Sequence, residues 1–192
     1  MTEKDFETVK EHILKKLDGL DRHLTYHSKG HTVDVMEQAL RIAAEEGITD
    51  EYELLLLKFA TLFHDIGFLE IYANHEEKGC EFFSDDPVCQ KFSQEDKDRI
   101  QRLIMVTKLP QKPQTLLESV ICDADLDYLG RDDFFRIGDN LRKEFLHYKI
   151  VPDNEAWDKL QYNFLSNHHY FTASSQQLRE PVKQANFDKL YN

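Results

Sequence analysis

The sequence predicts an all-α fold, a compact single-domain helical bundle, on three observations. Gly and Pro are scarce, at 7 and 5 of 192 residues, which disfavours a turn-rich β architecture. Apolar residues recur at helical spacing in one segment after another, and no stretch alternates with a period of two. The hydrophobic fraction is 41%, enough at this length to build one core without a covalent staple.

The elements follow in order. Phe6, Val9, Ile13 and Leu17 mark a first amphipathic helix, broken by the polar stretch from Tyr26 to Gly30. Val35, Ala39, Ile42 and Ala43 share one face of a second helix, and Gly47 is a plausible stop. A third begins near Asp50, a good N-cap, and is apolar on most sides from Leu54 to Phe63, the pattern of a central helix. It terminates at His64-Asp65-Ile66-Gly67. A short helix spans His75 to Phe83. Ser93 and Asp96 resemble a capping box for the helix bearing Ile100, Leu103 and Ile104. Pro110 and Pro113 bracket a loop. Leu117, Val120, Ile121 and Ala124 lead into Asp125, with Gly130 ending that helix. Phe134, Phe135, Ile137 and Leu141 support another, and Trp157, Leu160 and Phe164 one more beyond Pro152. The tail from Gln176 to Asn192 reads as a last helical segment interrupted at Pro181. One domain over 1–192 is expected, with its chemistry in 26–130 and a helical extension in 131–192.

Charge and cysteine content narrow the function. A formal net charge of −12 argues against a protein that coats nucleic acid, since it repels phosphate backbones. It is compatible with a small phosphorylated ligand, because a bound cation reverses the sign locally. Cys80, Cys89 and Cys122 form no CxxC pair and are odd in number, so neither a disulfide framework nor a thiolate zinc site is indicated. No apolar run reaches the ~20 residues of a membrane span, and the charged N-terminus lacks the apolar stretch of a signal peptide. A cytoplasmic location is the expectation; an oligomer is compatible with everything above.

The chemical signal is the adjacent pair His64-Asp65 where the most apolar helix terminates. Burying an imidazole beside a carboxylate is costly unless something pairs them. Neighbouring side chains on a helix point about 100° apart, and they converge most readily at a helix end, where Gly67 lets the backbone turn. A divalent cation would satisfy both. His31, near the start of the second helix, and Asp125, near the end of a largely apolar one, are further polar groups at the edges of buried faces. Two imidazoles with two carboxylates form a mixed nitrogen–oxygen set suited to Mn, Fe, Co, Ni or Zn, with room left for water.

His31, the doublet in LFHDIG and Asp125 in DADLDYLG resemble the ordered H…HD…D signature of the HD superfamily of metal-dependent phosphohydrolases, whose members also use Mg. YHSKGHT, LFHDIGF and NHEEKG agree with it, so the resemblance covers residues 26 to 130. The tail, FLSNHHYFT with Arg179 and Lys183, is similar to that of a small stand-alone branch of predicted phosphohydrolases in the superfamily. The resemblance implies a helical HD-type domain in which His31, His64, Asp65 and Asp125 bind a divalent metal. It also implies hydrolysis of a phosphate ester, of a nucleotide, cyclic nucleotide or related small molecule. A non-catalytic nucleotide sensor and a di-iron oxygenase on the same fold are its other outcomes.

Other residues read less sharply. His75 is a candidate for a second metal or a substrate phosphate, and Glu76 for orienting water; an acidic helix start has the same pattern. Glu70 is a rival to Glu76 for proton handling, and Asp65 could both ligate and position water. His27 and Lys29 could meet a phosphate. Arg179 and Lys183, four apart, would share a helical face and supply positive charge. Asp123 and Asp127 read as a solvated helix end more readily than as hydrogen-bond partners of a ligand histidine, and His168 and His169 as packing or surface residues.

Overall fold

The computed structural model describes residues 1–191; Asn192, the last residue of the expected tail helix, lies outside them. Among the described residues the regular structure is helical throughout: α1 (Glu3–Leu17), α2 (Lys29–Glu45), α3 (Glu51–Phe63), α4 (His75–Asp85), α5 (Gln94–Met105), α6 (Leu116–Asp125), α7 (Phe134–His147), α8 (Asn154–Asn167) and α9 (Ala173–Tyr191). Short 3₁₀ turns at Ile66–Leu69, Cys89–Lys91 and Asp127–Gly130 join several of them. The all-α expectation holds.

Local chemistry explains the boundaries. The Asp50 carboxylate accepts the amides of Tyr52 and Glu53, at 2.8 and 3.0 Å, and so starts α3. Ser28 caps α2 by accepting the His31 amide at 3.3 Å. Ser93 Oγ accepts the Asp96 amide at 3.2 Å, but the Asp96 carboxylate returns to the Ser93 hydroxyl at 2.7 Å, so the expected box is only half made.

α3 packs against α1, α2, α4, α5 and α6, and its residues Leu55 to Phe63 are buried except Lys58. A main core joins Phe6, Ile13, Val35, Ile42, Phe59, Phe83, Ile104 and Val120 across these helices. A second cluster gathers Tyr26, Leu126, Tyr128, Leu129, Phe134, Leu165 and Tyr170 around α7 and α8. Val35, one turn beyond His31, belongs to the first cluster, while Tyr26, whose ring packs tilted against the His31 ring with centroids 4.6 Å apart, belongs to the second. The polar residues of interest lie on that seam.

Three expectations are corrected. α9 begins at Ala173 and runs through Pro181 without interruption. Pro181 removes one amide, but Pro181 and Gln177 are both exposed, so water can satisfy the carbonyl left without a donor. Arg179 and Lys183, on either side of the proline, are anchored to the body of the protein. The helix carrying Asp125 ends at that residue, and Gly130 closes a separate 3₁₀ turn. Asp123 and Asp127 are fully buried rather than solvated. Asp123 accepts the amides of Phe171 and Thr172, both at 2.8 Å, and the Thr172 hydroxyl at 2.6 Å, tying the start of α9 to α6. Asp127 accepts Arg41 Nη2 and Arg179 Nε, both at 2.8 Å.

Close approach of α9 also explains Gly130. A Cβ there would sit 2.4 Å from the Arg179 carbonyl oxygen and 2.8 Å from its Cα, both backbone atoms. Gly130→Ala is therefore expected to lower unfolding free energy by about 1–3 kcal/mol, as overpacking does. Gly30→Ala, whose nearest neighbour is Ser28 Oγ at 3.6 Å, should change it by less than about 1 kcal/mol. Urea denaturation checks the pair, and equal effects would contradict the packing described.

Candidate metal centre

His64 closes α3, and Asp65 follows it in the bridge conformation, φ −108° and ψ 0°. The turn that begins there carries Gly67 directly beneath the start of α4, where a Cβ would lie 2.0 Å from the His75 carbonyl oxygen. Only glycine lets α4 come that close. The Phe68 ring then packs against two imidazoles, with centroids 4.2 Å from His27 and 3.9 Å from His75 and planes within 25° of both, and the two imidazoles are themselves 5.9 Å apart. His27 and His75 are thus held by stacking as well as by hydrogen bonds.

The ring tautomers are set from behind. His64 Nδ1 lies 2.8 Å from the Thr61 carbonyl, so it carries the proton and leaves Nε2 bare toward the interior. His75 Nδ1 does the same with the Tyr72 carbonyl at 3.1 Å. Facing His64 Nε2 are Asp65 Oδ2 at 3.2 Å and Asp125 Oδ1 at 3.6 Å. His31 Nε2 lies 3.4 Å from Asp65 Oδ2 and 3.2 Å from Asp125 Oδ1. His75 Nε2 approaches Asp65 Oδ1 and Glu76 Oε1, both at 3.4 Å.

Among the described residues His64 Nε2 and Asp65 Oδ2 are buried and make no hydrogen bond, despite their short separation. Two such orphaned atoms side by side are rare in a folded interior. His31, His64 and Asp65 each present a ligand atom within 4.8 Å of the others and could hold a metal ion. Nitrogen and carboxylate donors fit a divalent cation. Without one, electrostatics retain a proton instead. Burial opposes charge on His64, but Asp65 and Asp125 outweigh it and raise its pKa well above the ordinary imidazole value. Burial likewise opposes charge on the two carboxylates, and the neighbouring imidazoles reverse that: Asp65 is held well below its usual range and Asp125 at about 2.

A cavity of about 490 Å³ opens beside the cluster. His27, Asp65, His75, Glu76 and Asp125 line its polar end. Lys108, unremarked in the sequence, stands on its rim, its ammonium 2.9 Å from Asn74 Oδ1 and paired with Glu77. Also missed was Glu144. Its fully buried carboxylate accepts the amides of Tyr26 and His27 at 2.9 and 3.1 Å and the Tyr72 hydroxyl at 2.9 Å, and it meets His27 Nδ1. Burial is again outweighed, here by His27 and the two amides, and Glu144 stays ionised below its ordinary pKa. A signal existed: Glu144 lies seven residues after Ile137 and three after Leu141, on the apolar face of α7, where a carboxylate has no place without partners.

Four other sequence candidates are not brought to the cluster. Glu70 is paired with Lys78 at 2.7 Å and Lys29 with Asp18 at 2.8 Å, on exposed surface. The Arg179 guanidinium is held by Asp127, and the buried Lys183 ammonium by the His168 carbonyl and, at 2.7 Å, by Glu180. The cation at the cavity is Lys108 rather than the Arg179–Lys183 pair.

Fold and site together define an all-helical domain built on a histidine–aspartate doublet that could hold a divalent cation. A family model, the HD domain, matches residues 29–127, just over half of the chain, and the protein belongs to the HD-domain family. No curated protein and no solved structure matches it. Among the described residues no helix is long and apolar enough to cross a membrane.

Because His64 must give up its proton to become a ligand, metal binding should release protons and weaken as pH falls. The raised pKa puts this competition at and above neutral pH. Affinity for Mn²⁺ or Zn²⁺ is expected to drop by up to about tenfold per pH unit between pH 8 and pH 6. Calorimetric titration in buffers of different ionisation enthalpy reads the released protons; a pH-independent affinity would refute the competition.

Proposed function

We propose that the protein is a metal-dependent phosphohydrolase that cleaves a small phosphate ester in the cavity beside His31, His64, Asp65 and Asp125. The observation that carries this reading is the pair of buried, unpartnered ligand atoms, His64 Nε2 and Asp65 Oδ2, of which Asp65 lines the polar end of that cavity. Membership of the HD-domain family supports it. Asp125 is the fourth ligand in this reading, since its Oδ1 faces the same two imidazole nitrogens, at 3.2 Å from His31 and 3.6 Å from His64. A divalent cation bound there would polarise a phosphoryl oxygen and lower the pKa of an attacking water.

The remaining work falls to side chains around the cluster. Glu76 lines the cavity and is nearly buried, so its carboxylate can accept the proton of a water poised for attack. His75 sits between Glu76 and Asp65 and can hold that water or a phosphoryl oxygen. Burial opposes its charge, but Asp65 and Glu76 raise its pKa and favour the cationic form that suits an anion. His27, with Nδ1 engaged by Glu144, lines the cavity where it can contact a phosphoryl oxygen or a leaving group. Lys108 is the ammonium at the rim that draws in an anionic head. Nucleotides and cyclic nucleotides are the first substrates to try, because the superfamily resemblance points to them.

Asp65→Asn is expected to lose the metal and all turnover while the chain stays helical by circular dichroism. Glu76→Gln should keep its metal by elemental analysis and lose about 10²-fold or more in kcat, as removing a positioned base does. Glu144→Gln should keep metal too, and lower kcat by freeing His27. A panel of phosphomonoesters and diesters with Mn, Fe, Co, Ni, Zn and Mg supplies the assay. A metal-loaded protein that turns over none of them would sink the hydrolase reading in favour of a sensor.

A further inference from the structure

The cavity is chemically two-ended. Its polar end reaches the proposed metal cluster at Asp65 and Asp125, with His27, His75, Glu76 and Lys108 around it. Its other end is built by α7 and α8, chiefly from Leu141, Phe145, Trp157, Phe164 and Leu165. Gln161 and the indole N–H of Trp157 are the polar groups these two helices contribute to the lining, and the Gln161 Oε1 is already engaged by the Tyr191 hydroxyl at 3.3 Å.

We infer that the substrate is the phosphate ester of a hydrophobic alcohol, with the phosphoryl head at the metal cluster and an aliphatic chain lying between α7 and α8. This rests on the phosphohydrolase reading of the same site for the chemistry of the head. A ribose and a base would press several hydroxyls and ring nitrogens against Leu141, Phe145, Phe164 and Leu165, where only the Gln161 amide and the Trp157 indole N–H could pair with them. An aliphatic chain has no such groups, and each methylene moved from water to an apolar wall tightens binding by up to about fourfold. The volume of about 490 Å³ is that of a small-molecule site, typically ~300–1,000 Å³.

The mouth fits the same ligand. Leu109 and Ile150 line the cavity yet are 57% and 46% exposed, so its rim is apolar beside Lys108. Leu109, Leu126, Leu160 and Phe164 also line a second, more open depression of about 900 Å³. A chain longer than the first cavity thus meets a further apolar surface rather than a wall.

Trp157 is the only tryptophan of the chain and lines the apolar end, so its fluorescence reports occupancy without turnover. The test titrates the Mn²⁺-loaded full-length protein with non-hydrolysable n-alkyl phosphonates from ethyl to octyl. Isothermal calorimetry runs in parallel, because apolar burial gives a heat-capacity change that grows with chain length. Kd is expected to fall by at least about twofold per methylene. Leu160→Gln, at a half-exposed position that tolerates a polar residue, should weaken octyl binding at least fivefold more than ethyl binding. A flat series, an unchanged octyl-to-ethyl ratio in Leu160→Gln, or tighter binding of a nucleoside phosphonate than of the octyl compound would overturn the inference. Chain-length-dependent binding with no hydrolysis of octyl phosphate rejects the hydrolase reading and leaves the ligand class standing. Nucleotide hydrolysis with a flat alkyl series does the reverse.

Discussion

Each of two imidazoles lies within 4 Å of each of two carboxylates where the most buried helix stops, and much of the surrounding structure holds them there. Bringing four such groups out of water is unfavourable unless charge is balanced inside the cluster. Without a metal, a proton on the imidazoles does part of this, and a divalent cation would do it better because it could satisfy several of these atoms at once. The cost of the arrangement explains how much of the sequence is committed to geometry. Thr61 fixes the tautomer of His64, Gly67 lets α4 descend onto the turn, and Asp125 reaches the same point from α6.

A second set of contacts binds the cluster to the distal helices. Phe68 packs against the rings of both His27 and His75, while Glu144 reaches from α7 to hold His27 and the backbone before α2. Glu144 therefore couples α7, which also walls the apolar end of the cavity, to the residues that face the cluster. A change in how α7 packs would be felt at His27 before it was felt at the proposed ligands. In the proposed chemistry, that coupling would give the helices after the HD-matched segment a role beyond packing.

How much of this was legible in the sequence depended on range. The helices were, because their apolar periodicity is local, and so were His64 and Asp65, because two ionisable residues closing an apolar helix violate the pattern around them. His31 and Asp125 needed the resemblance, since neither breaks its own helix's pattern strongly. Residues whose partners come from far along the chain were misjudged. Asp127 looked solvated at a helix end, but Arg41 and Arg179, 86 positions before and 52 after it, enclose it. Glu144 and Lys108 drew no notice for the same reason: their meaning lies in Tyr26 and His27, and in Asn74 and Glu77, all more than 30 positions away. Pro181 misled differently, because a proline costs a helix one hydrogen bond and tertiary anchoring on either side can offset that.

The fate of the arginines bears on how an acidic protein could take an anionic substrate. Arg41 and Arg179 close on Asp127, and Arg131 on Asp34 and Asp133, joining α2, the Asp127–Gly130 turn and α9. Those guanidiniums neutralise buried or half-buried carboxylates and face none of the lining of the cavity. With a net charge of −12, the field at a distance repels a phosphate, and it is screened beyond about 8–10 Å in ordinary salt. Attraction must therefore be local: the metal, the cationic tendency of His75, and Lys108 at the rim. A head group held by so few charges gains little from electrostatics alone. Much of the affinity would then have to come from the rest of the molecule, and the apolar walls of α7 and α8 are where the structure has surface available for that.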